Sequence, residues 1–184
     1  MTSWHEEPIC KKHKLETFDC HDNGLNDFLI RHALKSHQWG GLKTFLAVAD
    51  DCSGTVIGFY SLGPVSIQTC RPDVAPWGER RREQAGFRLQ YLAVDRRVLL
   101  RGLDGQLLLA AGRRCILASM EIGGIILFIA AANDEVASWY ASYGAMPLLD
   151  MPRCLVLPLA SIEAAVKGGM AYEEQIAQPF EPDF

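Results

Sequence analysis

A basic turn lies between a short apolar strand and the start of an apolar helix, and residues of these types in this order can bind an anion. The strand ends in Leu92-Ala93-Val94-Asp95, the turn carries Arg96, Arg97 and Arg101, and the helix begins at Gly102. The first N–H groups of a helix have no partner within the helix and point at whatever lies in front of it. The segment therefore predicts an anion site. The alternative is an ordinary buried strand and helix joined by a solvated arginine turn.

Positive charge is concentrated around this turn, although the formal net charge of the chain is −4. Residues 71–101 hold four acidic residues and eight arginines, namely Arg71, Arg80, Arg81, Arg82, Arg88, Arg96, Arg97 and Arg101. The overall acidity does not suggest a general polyanion binder. The local excess of arginine favours contact with a phosphate backbone. The alternative is a solvated surface loop, which is what most charged runs are.

The cysteines and histidines do not have the spacing of a metal site. The six cysteines are scattered, without a C-x-x-C pair and without a signal peptide before them, which is typical of reduced thiols in a cytoplasmic protein. All five histidines lie in the first 37 residues, but no two are four residues apart. The apolar runs are too short to cross a membrane. We therefore expect a cytoplasmic protein that uses no metal.

Hydrophobic patterning predicts the elements that come before the basic turn. Residues 1–14 form a polar lead-in or an edge strand, and Asp22 or Asn23 caps the helix that follows. Residues 44–49 and 55–62 are strands of an antiparallel hairpin. The next stretch, residues 64–86, is rich in proline and arginine and is expected to be a loop.

The second half of the chain alternates apolar strands with helices. A buried strand over 125–132 precedes a helix that Asn133 or Asp134 caps and that ends near Gly144, and 154–159 is a last strand. This order predicts an α/β (α+β) fold with a mixed, mostly antiparallel central sheet that is flanked by helices. One domain is expected over residues 1–160, followed by an acidic extension over 161–184.

The chain resembles the GNAT N-acetyltransferases in three places. These are Leu92-Ala93-Val94-Asp95, the turn-to-helix Arg101-Gly102-Leu103, and N-x-x-x-x-x-W-Y-x-x-x-G, which is formed by Asn133, Trp139, Tyr140 and Gly144. Its opening is similar to that of GNAT toxins from type II toxin–antitoxin pairs, which acetylate aminoacyl-tRNA. Here the similar segments are FDC at 18–20, LNDFL at 25–29, RHALK at 31–35 and the pair Thr44-Phe45.

The resemblance implies an acetyl-CoA-dependent enzyme in which the predicted anion site holds the pyrophosphate. It implies a role for Tyr140 as the acid that protonates the CoA thiolate. The implied cofactor-binding residues are Leu92, Ala93, Val94, Arg96, Arg97, Arg101, Gly102, Leu103, Asp104 and Asn133, and those implied for tRNA are Arg71, Arg80, Arg81, Arg82 and Arg88. The implied partners are aminoacyl-tRNA, a ribbon-helix-helix antitoxin and a second copy in a homodimer.

The pyrophosphate turn departs from the family pattern Q/R-x-x-G-x-G/A at two of its positions. Leu99 cannot supply the expected polar contact, and Asp104 puts a carboxylate where the family has a small residue. Asp is favoured near a helix N-terminus, yet it repels a bound pyrophosphate. Two alternatives follow: a small-molecule or protein N-acetyltransferase that uses the same core, and a GNAT-like binding module without catalysis.

Overall fold

The predicted helix and strand patterns appear in the structure, a computed structural model that describes residues 3–51, 53–69, 82–99 and 102–168. The strands are β1 (Trp4–Pro8), β2 (Lys43–Ala49), β3 (Val56–Thr69), β4 (Arg82–Val94), β5 (Ile126–Ala130), β6 (Met146–Leu148) and β7 (Met151–Pro158). The helices are α1 (Asn23–Asp27), α2 (Ala33–Trp39), α3 (Leu103–Ile122), α4 (Asp134–Ser142) and α5 (Leu159–Gly168). A π-helical turn (Phe28–His32) joins α1 to α2, and a 3₁₀ turn (Arg96–Val98) follows β4.

The described strands form one mixed sheet in the order β1-β2-β3-β4-β5-β7-β6. β1 and β2, β2 and β3, β5 and β7, and β6 and β7 pair antiparallel. β4 and β5 pair parallel, with Gly86 opposite Ile126 and Leu89 opposite Ile129. A parallel pair needs a crossover connection, and α3 provides it. The predicted mixed, mostly antiparallel sheet with flanking helices is confirmed.

The described residues divide into two compact units, and the first comprises those within 1–63 and 90–108. Its core is built on Leu29, Leu46, Phe59 and other apolar side chains that are almost fully buried. Burying a side chain of this size contributes roughly 1.5–3 kcal/mol. The helix predicted to begin at Asp22 or Asn23 is capped by Asp22, whose Oδ1 accepts from the N–H of Leu25 at 2.9 Å.

The start of α3 packs closely on β3 within this first unit. A Cβ added to Gly58 would lie 2.8 Å from a methyl carbon of Leu107 and 3.2 Å from the carbonyl oxygen of Ala93. Leu103 and Leu107 are both buried. The missing side chain at position 58 therefore allows the helix to approach the strands from which the basic turn emerges.

The second unit comprises the described residues within 64–89 and 109–175. Its core centres on Ile126, Phe128 and Val156, with Val65 and Ile67 packed against them. Ile162 of α5 is buried, and its side chain lies 2.9 Å from the position that a Cβ on Gly112 would occupy.

The prediction of a loop over residues 64–86 is wrong at both ends. β3 continues to Thr69 and β4 begins at Arg82. Val65 and Ile67 are partly buried, whereas Pro64 and Ser66 are exposed, so the stretch has the two-residue alternation of a strand. Proline and a high polar content concealed this alternation in the sequence.

Two other expectations bear on the fold. Residues 4–8 form β1 at one end of the strand order, which confirms the edge-strand alternative. The domain boundary expected after residue 160 falls inside α5 and stays a prediction. No helix in the described part of the chain is both long enough and apolar enough to cross a membrane.

Candidate functional site

The turn after β4 is organised around the buried carboxylate of Asp95. Its backbone N–H donates to the carbonyl of Ile57 at 2.9 Å, which fixes the end of the strand. Its side chain is fully buried and accepts four hydrogen bonds. The donors are the N–H of Asp19 at 3.1 Å and three groups of Arg97, namely N–H at 2.9 Å, Nε at 2.7 Å and Nη2 at 2.7 Å.

These bonds keep the Asp95 carboxylate charged in a buried position. Burial alone raises the pKa of a carboxyl group. The bonds from Arg97 and from the N–H of Asp19 outweigh that effect, so the pKa of Asp95 lies below its ordinary value. The same pairing raises the pKa of Arg97. The turn is therefore held by a complete set of charge-assisted hydrogen bonds.

The residues just before α1 brace this turn from outside. The N–H of Arg96 donates to the carbonyl of Asp19 at 2.8 Å, and Nε of Arg96 lies 3.3 Å from Oδ2 of the same residue. Nη2 of Arg97 also donates to the carbonyl of Thr17 at 3.2 Å. Thus Arg96 and Arg97, two of the three arginines predicted to bind the cofactor, are ion-paired within the protein and hold the turn. Their contact with a cofactor stays a prediction.

Gly102 directly precedes α3 and has a left-handed backbone conformation. Its φ is +71°, in the left-handed region where a side chain costs about 1–2 kcal/mol. Its carbonyl accepts the N–H of Gln106 at 3.3 Å, so the N–H groups that follow it form the open end of the helix. This arrangement fits a bound pyrophosphate.

Asp104 fits that pyrophosphate less well. Burial raises the pKa of its carboxyl, and hydrogen bonds from the N–H groups of Gly105 and of Asp104 itself lower it, with a net upward shift. The carboxylate thus uses N–H groups that a phosphate would use. Leu99, 45% exposed, is apolar at the other departing position. A cofactor at this turn would compete with the Asp104 side chain for these N–H groups.

Two further predicted site residues lie in the second unit, namely Tyr140 on α4 and Asn133 directly before that helix. Asn133 precedes the helix in an extended conformation, and its Oδ1 accepts the N–H of Val136 at 2.8 Å. The prediction that Asn133 or Asp134 caps this helix is confirmed for Asn133. Its side-chain amide nitrogen is not used by that bond, so a cofactor contact by Asn133 stays a prediction.

Tyr140 is held in α4 by aromatic packing. Its ring lies 4.7 Å from that of Trp139 in an edge-to-face arrangement, and Trp139 contacts Tyr143 in the same way at 4.9 Å. Tyr140 and Tyr143 are each 7% exposed. Edge-to-face pairs of this kind contribute about 0.5–1.5 kcal/mol beyond the buried area. The ring of Tyr140 is therefore held in one direction, and its role as an acid stays a prediction.

Of the predicted tRNA-binding residues, Arg88 is the one whose side chain the structure describes. It lies on β4 in the second unit, and its guanidinium carbon is 5.7 Å from the centre of the Phe128 ring. Nε of Arg88 is buried and has no hydrogen-bond partner among the described residues. Arg71, Arg80, Arg81 and Arg101 lie outside the described residues, as does the side chain of Arg82.

Asp95 and Asp19, which hold the turn, were not among the predicted site residues. In the sequence, Asp95 appears only as the end of the Leu92-Ala93-Val94-Asp95 motif and Asp19 only within the FDC segment. An acid that directly follows an apolar strand and precedes an arginine by two positions was the available signal for Asp95. No sequence spacing indicates Asp19, which meets the turn across 76 residues.

The described residues contain no group of three or more His, Cys, Asp or Glu side chains that could hold a metal ion. The groups that the two regions present are backbone N–H groups, a buried ion pair and a packed phenol ring. Such groups can bind a phosphate, orient a carbonyl and deliver a proton.

Comparison with known proteins gives the family. No protein-family model matches the chain. A tRNA-acetylating toxin of Mycobacterium tuberculosis (strain ATCC 25618 / H37Rv) is 34% identical over 136 residues, which cover 69% of this chain and 75% of the toxin.

Two solved structures of the toxin AtaT, each 25% identical to this chain, share the fold. AtaT complexed with acetyl-methionyl-tRNAfMet has a TM-score of 0.81 and covers 89% of this chain and 99% of its own. A Tyr-to-Phe mutant of AtaT bound to acetyl-CoA and to the C-terminus of the antitoxin AtaR has a TM-score of 0.75. The match covers 90% of this chain and 99% of the AtaT chain. Together with the GNAT motifs and sheet, these relationships show that the chain belongs to the tRNA-acetylating toxins of the GNAT N-acetyltransferase family.

Proposed function

We propose that this protein is a toxin that transfers an acetyl group from acetyl-CoA to the α-amine of aminoacyl-tRNA and thereby blocks translation. The observation that carries the proposal is its 34% identity to a tRNA-acetylating toxin across 75% of that protein. The similar fold of AtaT, a structure of which contains acetyl-methionyl-tRNAfMet, supports it. An acetylated α-amine can no longer serve as a nucleophile in peptide-bond formation.

The turn and the start of α3 are the proposed acetyl-CoA site. When bound, acetyl-CoA supplies the thioester from which the acetyl group is transferred. In this proposal the N–H group of Leu103 binds the pyrophosphate, and that of Asp104 does so in competition with its own carboxylate, with Gly102 leaving room. Backbone N–H groups at Leu92, Ala93 and Val94 polarise the acetyl carbonyl. Arg101 adds positive charge, while Arg96 and Arg97 hold the turn.

Tyr140 is the proposed acid. Its hydroxyl donates a proton to the departing thiolate, and its packed ring limits the directions in which it can do so. The α-amine of an aminoacyl group has a reference pKa of about 7.7–8.0, so a useful fraction is already neutral at physiological pH. The proposal therefore assigns no strong general base.

The proposed tRNA contacts are Arg71, Arg80, Arg81, Arg82 and Arg88. Replacing Arg80, Arg81 and Arg82 together with alanine is expected to weaken tRNA binding. Because each phosphate contact contributes about 0.7–0.9 to the slope of log K against log salt, the slope should fall by about 2 to 3. Replacing the same three residues with lysine is the matched control and should keep most of the slope. An unchanged slope in the alanine variant rejects this role.

The function is tested by incubating the protein with labelled acetyl-CoA and four acceptors: a pool of charged tRNA, the same pool after deacylation, free amino acids and a panel of polyamines and peptides. Label that appears only in charged tRNA supports the proposal. Label in small amines or peptides would instead support a small-molecule or protein acetyltransferase. Acetyl-CoA binding without transfer to any acceptor would support a non-catalytic module, which the degenerate turn at Leu99 and Asp104 favours.

The proposal extends to partners and location. The bound antitoxin AtaR in a similar structure supports inhibition by an antitoxin, for which we propose the ribbon-helix-helix type. Co-expression with the product of a neighbouring small gene would test the antitoxin.

Exposed apolar residues on α3, namely Leu117, Met120 and Ile122, support a homodimer. Light scattering of the purified protein would measure its oligomeric state. The free thiols of Cys10, Cys20, Cys115 and Cys154 support a cytoplasmic location.

A further inference from the structure

A cysteine, a histidine and a glutamate lie in line where β1 ends, in the first unit and apart from the residues discussed above. Sγ of Cys10 is 3.5 Å from Nδ1 of His13, and Nε2 of His13 is 3.1 Å from Oε2 of Glu7. A backbone turn brings them together, because the N–H of His13 donates to the carbonyl of Cys10 at 3.3 Å. Thiol, imidazole and carboxylate in this order resemble the arrangement that activates nucleophilic cysteines.

The hydrogen bonds assign the protons on the His13 ring. The backbone N–H of Cys10 lies 3.1 Å from Nδ1, and because an N–H can only donate, this contact favours the neutral tautomer whose ring proton is on Nε2 and points at Glu7. This is the tautomer in which Nδ1 can take the proton of the Cys10 thiol. The carbonyl of Cys10, 3.3 Å from Nδ1, can accept a hydrogen bond from the protonated ring.

The surrounding charges keep this tautomer in place. Nζ of Lys12 lies 2.6 Å from Oε2 of Glu7, and Nε2 of His5 lies 2.9 Å from Oε1. With Lys12 as the main cause, the pKa of Glu7 falls to about 2, so the carboxylate is charged. His5 is bonded in turn to Asp50 at 2.6 Å. The side chain of His13 is only 4% exposed, so its ring is held while Cys10 stays partly exposed.

Two other cysteines have no such base beside their thiol. The thiol of Cys20, also partly exposed, donates to Oδ1 of Asn26 at 3.2 Å, and burial raises its pKa. Cys115 is buried, and its pKa is raised to about 12. An amide oxygen cannot take the proton of a thiol, whereas an unprotonated imidazole nitrogen can.

We propose that Cys10 is a thiol–disulfide exchange site that forms a mixed disulfide with small disulfides of the oxidised glutathione type. His13 takes the thiol proton on Nδ1, and the Cys10 sulfur attacks one sulfur of the small disulfide. The Cys10 S–S bond forms as the original S–S bond breaks. The released thiolate takes the proton back from His13, so one small thiol leaves, Cys10 is oxidised and half of the small disulfide is reduced.

The test measures mixed-disulfide formation cysteine by cysteine. Fully reduced, full-length protein is exposed to oxidised glutathione near neutral pH, quenched with acid and digested with trypsin. Lysines at 11, 12 and 14 place Cys10 and Cys20 on different peptides, which mass spectrometry quantifies separately. Cys10 is expected to react on the order of tenfold or more faster than Cys20 in the same sample. Equal rates, or a faster Cys20, would overturn the proposal.

Variants then test the mechanism. His13→Gln removes the base and should lower the Cys10 rate to that of Cys20, and Glu7→Gln should lower it in part. His5→Gln is the matched control, because His5 contacts Glu7 without contacting Cys10 and should leave the rate nearly unchanged. Cys115 must stay unlabelled in each variant as a sign of an intact fold. If Cys10 keeps its full rate without His13, the proposed base is wrong; if a variant unfolds, the comparison of Cys10 with Cys20 in the unaltered protein still decides.

Discussion

In the first unit the turn after β4 is held by charge, whereas in the second unit α4 is held by ring packing and a neutral cap. Asp95 is fully buried and accepts four hydrogen bonds, three of them from Arg97. Tyr140 contacts the ring of Trp139, and its helix is capped by an amide oxygen. A buried charge depends on every one of its partners. A packed ring instead keeps its position when the hydroxyl at its edge is removed. A substitution on α4 can therefore test the proposed proton transfer with little effect on stability.

The largest expected effect is on catalysis, from Tyr140→Phe. Loss of a positioned proton donor should lower acetyl transfer to charged tRNA by about 10²- to 10⁴-fold. The melting temperature should change far less than the rate, because the ring and its contact with Trp139 remain. Tyr143→Phe is the matched control, since Tyr143 is equally buried and also packs on Trp139. Full activity in the Tyr140 variant would remove this residue from the mechanism.

Asp95→Asn should have the largest effect on folding. An amide offers one oxygen and places its NH₂ group against donors from Arg97 and Asp19, so about 3 kcal/mol of unfolding free energy should be lost. Chemical denaturation measures this. Asp134→Asn is the matched control, because its ion pair with Arg153 at 2.6 Å is exposed and should contribute nothing measurable. Equal losses in the two variants would contradict the contrast between the regions.

The wild-type protein and Asp95→Asn also test how the stability of the turn depends on pH. The pKa of Asp95 lies below the ordinary value of 3.8, so its stabilising contribution is complete above that value and is lost as the pH falls through the folded-state pKa. The stability difference between the wild-type protein and Asp95→Asn should therefore shrink in acid. If the difference in unfolding free energy stays constant as the pH is lowered below the ordinary carboxyl pKa, the charge of Asp95 is not what stabilises the turn.

A smaller effect is expected at the helix start, from Asp104→Asn. If the pyrophosphate binds at this helix start as proposed, removing the carboxylate should tighten acetyl-CoA binding by about fivefold to tenfold, because the negative charge beside it is gone. The pKa of Asp104 is raised by burial, so the acid becomes neutral as the pH falls toward that raised value. The affinity difference should thus be largest near neutral pH and shrink on acidification, as calorimetry can measure. If Asp104→Asn binds acetyl-CoA more weakly than the wild-type protein does, Asp104 helps to hold the cofactor.

The sequence allowed most elements of the fold to be predicted, because most of them are amphipathic or uniformly apolar. Leu29 and Ala33 recur at helical spacing and are fully buried, and the hairpin of β2 and β3 follows from two apolar runs around a short polar turn. The π-helical turn at Phe28–His32 was not predicted, since it keeps the same apolar face as the helices that it joins. The ends of β3 and β4 were missed because arginine and proline obscured their alternation.

The site was predictable in kind but not in detail. Gly102 and the arginines indicate an anion site, yet sequence cannot show that Arg96 and Arg97 are paired with Asp19 and Asp95. The Arg96–Asp19 pair joins residues that are distant in the sequence, as does the bond from Arg97 to Thr17, which spans 80 positions. Local spacing in the sequence indicates which residues share one face of a helix or strand. Long-range hydrogen bonds in the fold decide which arginines remain available to bind an anion.

The two helix caps give the smallest and most closely matched test. Asp22 caps α1 in the first unit at 2.9 Å, and Asn133 caps α4 in the second at 2.8 Å. Asp22→Ala and Asn133→Ala should each lower the unfolding free energy by about 1 kcal/mol, because each leaves one helix N–H group without its acceptor.

The two variants should differ in cofactor binding. If the free amide nitrogen of Asn133 contacts acetyl-CoA, as the family resemblance predicts, Asn133→Ala should weaken acetyl-CoA binding by about fivefold, the value of one neutral hydrogen bond. Asp22→Ala should leave it unchanged. Asn133→Asp is the informative intermediate, because a carboxylate keeps the cap and removes the donor. If it binds acetyl-CoA as well as the wild-type protein does, the role of Asn133 is to begin the helix that carries Tyr140 and nothing more.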